Sequence, residues 1–147
     1  MDDRGSLRIF IDSDVVISSL ISVSGAAYAL LHAKSGKFVA YVSNYSTIEL
    51  EGVITRPHLN LSKEDLRQRL SGLSTVAIKM SDQEIEREFT KYVTDINDAH
   101  IVAGTKLANA SFLITYNIRH FKAEMLSQDF EVILMTPAMF LQYLRSL

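Results

Sequence analysis

The run Leu7-Arg8-Ile9-Phe10-Ile11 breaks off at Asp12-Ser13-Asp14, and that junction decides the fold class. Five β-prone, mostly apolar residues that end abruptly in acidic ones read as a buried parallel strand reaching the rim of its sheet. Outward from it, helix and strand alternate. Ala26 to Ser35 carries Ala, Leu and Tyr at helical spacing and stops before Gly36, a suitable left-handed residue just past a helix end. Phe38 to Val42 reads as a second strand, and Tyr45 to Thr55 as a helix closed by Arg56-Pro57. Ser62 opens a helix with Leu66, Leu70 and Leu73 on one stripe, while Ser81-Asp82-Gln83-Glu84 matches a capping box ahead of a helix from Ile85 to Tyr92. Asn97 reads as the N-cap of a helix running through Ile101, Val102 and Leu107, and Phe112 to Thr115 as a short buried strand. Glu131 to Met135 is the last strand, and Thr136-Pro137 starts a helix that reaches Leu147, with proline at its first position. The pattern predicts an α/β fold, a three-layer α/β/α arrangement with a central, mainly parallel sheet, forming one domain over residues 1–147.

Composition narrows the function classes. A chain of 147 residues that is 48% hydrophobic and 22% charged can bury one sizeable core. Its apolar runs, such as Val15 to Ile17 and Phe112 to Ile114, fall far short of the roughly 20 residues needed to cross a bilayer, so no membrane span is expected. The acidic start Met1-Asp2-Asp3-Arg4-Gly5-Ser6 lacks the apolar core of a signal peptide, and the absence of cysteine suits a reducing cytoplasm. Any metal must then sit on oxygen or imidazole. Fifteen Lys plus Arg against seventeen Asp plus Glu, a net charge of −2, exclude a protein that coats nucleic acid by bulk positive charge. Contacts to phosphate would have to be local, with Lys34, Lys37, Arg119 and Lys122 as candidates.

In open α/β sheets ligands bind beyond the carboxyl ends of the strands, which directs attention to the residues after each apolar run. These are Asp12, Ser13 and Asp14; Asn97 and Asp98; and Tyr116 and Asn117. Carboxylates gathered at one rim repel unless a cation neutralises them, and a hard divalent ion takes oxygen ligands of this kind. Taken singly, each Asp or Asn reads at least as readily as a helix cap. Asp14 as a cap for the turn at Val15, and Asp95 as a solvated loop charge, rank second. Glu49 and Glu51 are two residues apart and face different ways on a helix, so by pattern alone either is an ordinary solvated charge. His32, His58 and His100 have no zinc-site spacing, and His120 beside Phe121 reads as a partly buried structural residue.

Four stretches, in order, resemble the PIN-domain family, and most nearly its toxin-like branch that includes the VapC ribonucleases. Ile9-Phe10-Ile11-Asp12-Ser13-Asp14-Val15-Val16 is similar to the family's opening strand, which ends in Asp-Thr-Asn before a hydrophobic helix start. Val42 through Glu49-Leu50 to Arg56-Pro57 resembles its second segment, with Glu-Leu on a helix. Asp95-Ile96-Asn97-Asp98-Ala99-His100-Ile101 looks like the acidic helix start that supplies a third carboxylate. Phe112-Leu113-Ile114-Thr115-Tyr116-Asn117 resembles the strand whose end carries Thr and a fourth, often acidic, position.

The resemblance implies a metal-dependent endoribonuclease, with Mg²⁺ or Mn²⁺ held by Asp12, Glu49 and Asp98 and Asn117 in a supporting role. It also implies a homodimer and a small antitoxin partner. Two positions depart from the family: Asp14 stands where Asn is common, and Asn117 where Asp is common. Two other readings stay open. Phe10-Ile11-Asp12-Ser13-Asp14 also resembles the Asp-x-Asp motif of haloacid-dehalogenase-type phosphatases, in which Asp12 would be a nucleophile and Asp14 the acid. The third reading is a non-catalytic domain that keeps the PIN fold for interaction, with Asn117 marking a lost ligand.

Overall fold

The computed structural model describes residues 6–33 and 36–147. In chain order the elements are β1 (Leu7–Ile11), α1 (Ser13–Ile21), α2 (Ala26–Leu31), β2 (Phe38–Ser43), α3 (Asn44–Val53), α4 (Lys63–Ser71), β3 (Ser74–Val76), α5 (Asp82–Phe89), α6 (Ala99–Leu107), β4 (Phe112–Ile114), α7 (Ala123–Phe130), β5 (Ile133–Met135) and α8 (Pro137–Arg145). The five strands form one sheet in the order β3-β2-β1-β4-β5, every pairing parallel. Leu7 lies opposite Phe38 on one side of β1, and Ile9 opposite Phe112 on the other.

Successive strand residues point to opposite faces, so a near-continuous apolar strand such as β1 feeds two cores at once. Ile9 and Ile11 join Val15, Leu30, Leu50, Ile114 and Phe140 under α1 to α4 and α8. Phe10 and Leu113 join Ile85, Phe89, Val102 and Leu126 under α5 to α7. Each large apolar side chain fully buried this way contributes about 1.5–3 kcal/mol, which is what makes the sheet a three-layer scaffold with a fixed rim. Helix α6 comes unusually close to the sheet: a Cβ on Gly104 would stand 2.6 Å from the ring of Phe10.

The capping signals of α4, α5 and α8 are realised. Ser81 accepts the Glu84 N–H at 3.1 Å while Glu84 returns a bond to the Ser81 N–H, Ser62 and Asp65 do the same for α4, and Thr136 caps α8 with Pro137 in its first turn. Several boundaries differ from the sequence reading. Helix α2 closes at Leu31, and Lys34 and Ser35 lie outside the described residues, as do the first five of the N-terminal stretch. Gly36 is left-handed, with φ of 69°, but it serves the turn into β2. Asn97 is not an N-cap; it sits in a 3-10 turn, Ile96–Asp98, capped by the Asp95 side chain, which accepts the Asn97 N–H at 2.9 Å. Glu131 ends α7 in the left-handed region with φ of 56°, so β5 begins only at Ile133. Helices α1 and α7 and the edge strand β3 have no counterpart in the periodicity reading. No helix among the described residues is long and apolar enough to cross a membrane.

Candidate active site

The strand order creates the site. From β1 the chain winds outward to β2 and β3, then crosses back to lay β4 and β5 on the other side of β1. The helix leaving β1 packs on one face and the helix after β4 on the opposite face, so a crevice opens between the carboxyl ends of these two strands. Asp12 and Thr115 are the first residues past those ends. The Asp12 N–H continues the ladder by donating to the Ile114 carbonyl at 3.0 Å, which fixes its position at the rim.

Thr115, completely buried, donates its hydroxyl to Asp12 Oδ2 at 2.9 Å and reaches Asp14 Oδ2 at 3.4 Å. Asp14 Oδ2 also accepts the Tyr116 N–H and Asn117 Nδ2, each at 3.0 Å, and the Asn117 N–H in turn donates to Thr115 Oγ1 at 2.9 Å. Asp14 Oδ1 and the neighbouring Ser13 Oγ, by contrast, are buried without a hydrogen-bond partner among the described residues. On α3, Glu49 presents Oε2 to His100 Nε2 at 3.5 Å, and at the start of α6 Asp98 presents Oδ2 to His120 Nδ1 at 3.3 Å. His120 is itself held in a short 3-10 turn, its N–H donating to the Asn117 carbonyl and its own carbonyl accepting the Thr94 N–H, each at 2.9 Å.

These groups share one electrostatic neighbourhood. Burial and the negative charge of Asp14, with a further contribution from Asp98, push Asp12 up to about 7, although the Thr115 hydroxyl pulls the other way. Burial also raises Asp14, against the N–H donors it accepts, and raises Asp98, which His120 partly offsets while Asp95 and Glu49 add repulsion. Glu49 is lowered, chiefly by His100, against the effect of its burial.

Asp12, Asp98, Glu49 and Asn117 are therefore brought to one rim, with Asp14 among them. Among the described residues, no three of His, Cys, Asp or Glu are already gathered as a group that could hold an ion. Each carboxylate is instead engaged by its own donor: Thr115, Asn117, His100 or His120. Glu51 faces elsewhere, lining a 720 Å³ groove between α3 and α4 with Ile48, Leu66 and Leu70. Neither Arg119 nor Lys122 pairs with these carboxylates; the Lys122 N–H ties to the Tyr92 carbonyl at 2.9 Å. Sequence reasoning underrated three residues. Asp14 also anchors the end of β4, and His100 and His120 are partners of carboxylates rather than bystanders. The only signal for the histidines was their nearness in sequence to Asp98 and Asn117, which does not separate them from scaffold.

Comparison with known proteins places this geometry. A family model for the PIN domain matches residues 8–119. No curated protein sequence matches the chain. Among solved structures, the chain is similar in fold to VapBC2 from Rickettsia felis, determined bound to a DNA fragment from its promoter, at 16% identity and a TM-score of 0.62, covering 88% of this chain and 98% of that one. It is likewise similar to FitAcB from Neisseria gonorrhoeae, at 16% identity and a TM-score of 0.59 over the same shares of the two chains, 88% and 98%. PAE2754 from Pyrobaculum aerophilum aligns at 14% identity and a TM-score of 0.61, covering 99% of this chain and 95% of that one.

Proposed function

Because the chain belongs to the PIN-domain family, whose domains are generally nucleases, we propose that it is an endoribonuclease dependent on Mg²⁺ or Mn²⁺ held by Asp12, Asp98 and Glu49. One observation carries this reading: at the rim between β1 and β4, burial and the repulsion of Asp14 and Asp98 push Asp12 up to about 7, and among the described residues the buried Asp14 Oδ1 has no hydrogen-bond partner. A cation relieves both. The donors are all hard oxygens, which fits Mg²⁺ or Mn²⁺ and not a soft, thiolate-seeking ion. Such an ion, when bound, supplies acidity to a water and neutralises charge on the phosphate under attack.

The chain's own residues have separable tasks. Thr115 fixes the orientation of Asp12, while Asn117 and the Tyr116 N–H hold Asp14. His100 and His120 steady Glu49 and Asp98. Asn117 is an amide and does not take up a proton near neutral pH, so its role is positional. A phosphatase with Asp12 as nucleophile is poorly supported, because the segment ahead of Asp95 is α5 followed by a 3-10 turn, Thr90–Tyr92, where that reaction centre needs a strand.

RNA as substrate, a small antitoxin as partner, a homodimer and a cytoplasmic setting belong to the same proposal. They draw support from the four toxin-like stretches and from the likeness in fold to VapBC2. The test is cleavage of a mixed RNA pool with Mg²⁺ or Mn²⁺ by the parent, Asp12→Asn and Asp98→Asn. Only the parent is expected to cut; equal cutting by all three would identify a contaminant. A melting temperature indifferent to millimolar Mn²⁺ would instead mark a non-catalytic module, since a ligand that binds only the folded state must raise stability.

A further inference from the structure

Beside the carboxylates, between α3, α5 and the turn that opens α6, lies a cavity of about 210 Å³ lined by Tyr45, Asp82, Ile85, Glu86, Ile96, Asn97 and His100. It is smaller than the roughly 300–1,000 Å³ of sites for drug-sized ligands, so it suits a flat fragment of one or two rings. Its walls are fixed by long-range bonds. Asn44 at the start of α3 accepts the Ile78 N–H at 2.8 Å, and the Tyr45 hydroxyl donates to the Met80 carbonyl at 2.8 Å and to Asp82 Oδ1 at 3.1 Å. These bonds hold the segment before α5 against α3. The rings of Tyr45 and His100 lie nearly parallel, 23° apart with centroids 5.8 Å from each other, and Ile96, an apolar side chain 46% exposed, adds an unclaimed apolar wall. Among the described residues, the side chains of Glu86 and Asn97 have no hydrogen-bond or ion-pair partner.

The cavity adjoins the proposed scissile position: His100 touches Glu49, and Asn97 precedes Asp98. Its polar groups are acidic or neutral, so it repels a phosphate and favours a ligand that enters with donors forward. Aromatic faces for stacking, with carboxylates that accept from exocyclic amines, describe base recognition in a splayed single strand. We infer that this cavity receives the base of a nucleotide next to the cut, selecting amino-bearing bases (adenine, cytosine or guanine) over uracil through Asp82 and Glu86. Uracil has no exocyclic amine to offer those carboxylates, both of its exocyclic groups being carbonyls. The inference rests on the nuclease reading above.

The test pairs cleavage with binding. Products from a random RNA pool cut in Mn²⁺ are sequenced at their ends, and short single-stranded RNAs of fixed sequence, differing in one base, are bound in Ca²⁺ and followed by fluorescence anisotropy. The parent is expected to disfavour uracil on the order of tenfold at one flanking position, the size of one charge-assisted hydrogen bond, in both assays. Asp82→Asn with Glu86→Gln should abolish that discrimination, with thermal unfolding showing that the variant is folded. Cutting without any preference at a flanking position, or a preference unchanged in the double variant, overturns the base pocket and leaves the nuclease reading standing. Absence of cutting with uracil still disfavoured in binding, and that bias lost in the variant, supports the pocket and overturns the nuclease. Absence of both overturns both.

Discussion

Replacing Asp12 with asparagine is expected to make the metal-free protein more stable at alkaline pH while abolishing cleavage. Asp12 is only 8% exposed, and its carboxyl is raised from an ordinary 3.8 to about 7. A raised carboxyl binds its proton more tightly in the folded than in the unfolded chain. Folding therefore loses stability as pH climbs from about 4 to about 7, and the loss levels off above that. A shift of about three pK units corresponds to roughly 4 kcal/mol, an upper figure because Asp14 and Asp98 share the repulsion. Asparagine keeps an acceptor for the Thr115 hydroxyl and removes the charge. Urea unfolding in a chelator, run on both proteins near pH 4 and near pH 8, should show a small difference at the acid end and the variant ahead by a few kcal/mol at the basic end. Mn²⁺ should narrow that gap, since ligand at 100 times its dissociation constant adds about 2.7 kcal/mol to whichever protein binds it. A variant less stable than the parent at pH 8 in chelator, or a gap that ignores pH, would refute the reasoning.

Asn117→Asp trades the donor now 3.0 Å from Asp14 Oδ2 for another carboxylate. The metal-free melting temperature should fall at pH 8 but hardly at pH 4, while calorimetry should show Mn²⁺ bound roughly tenfold more tightly; weaker binding would contradict a cation-relieved cluster. Gly104→Ala places a methyl 2.6 Å from the ring of Phe10, which is fully buried and has no room to retreat. The gain of up to about 1 kcal/mol in helix propensity should be outweighed, for a net loss of about 1–2 kcal/mol in urea, recovered largely by Phe10→Leu in the double variant. A stabilised Gly104→Ala protein would show that the close approach of α6 is not required.

What the sequence discloses follows from burial. Strands β1, β2 and β4 stand out because parallel strands sandwiched between helix layers must be apolar on both faces. The edge strand β3 is Ser74-Thr75-Val76, three half-covered residues with no such demand on them, and nothing local sets it apart from a loop. Helix α1 is masked by its own interior: Ser13 and Ser19 are buried on its inner face, with the Ser19 hydroxyl satisfied by the Val16 carbonyl at 2.6 Å, so the apolar stripe is broken. Helix α7 fully buries only Leu126. In the site, Asp12, Glu49 and Asp98 are singled out by the order of segments that the chain shares with the PIN-domain family, not by spacing. The roles of Asp14, His100 and His120 arise from contacts across the fold that no local pattern encodes.

The bond from Thr115 to Asp12 spans 103 positions of chain. At the usual pace of roughly 5–20 residues per second, about five to twenty seconds of synthesis separate the two residues, and the exit tunnel adds more. A growing chain thus carries Asp12 for seconds before the partner that orients it exists. The rim is therefore assembled late: it is complete only once the segment from Thr115 to Asn117 has been made and has folded back onto β1.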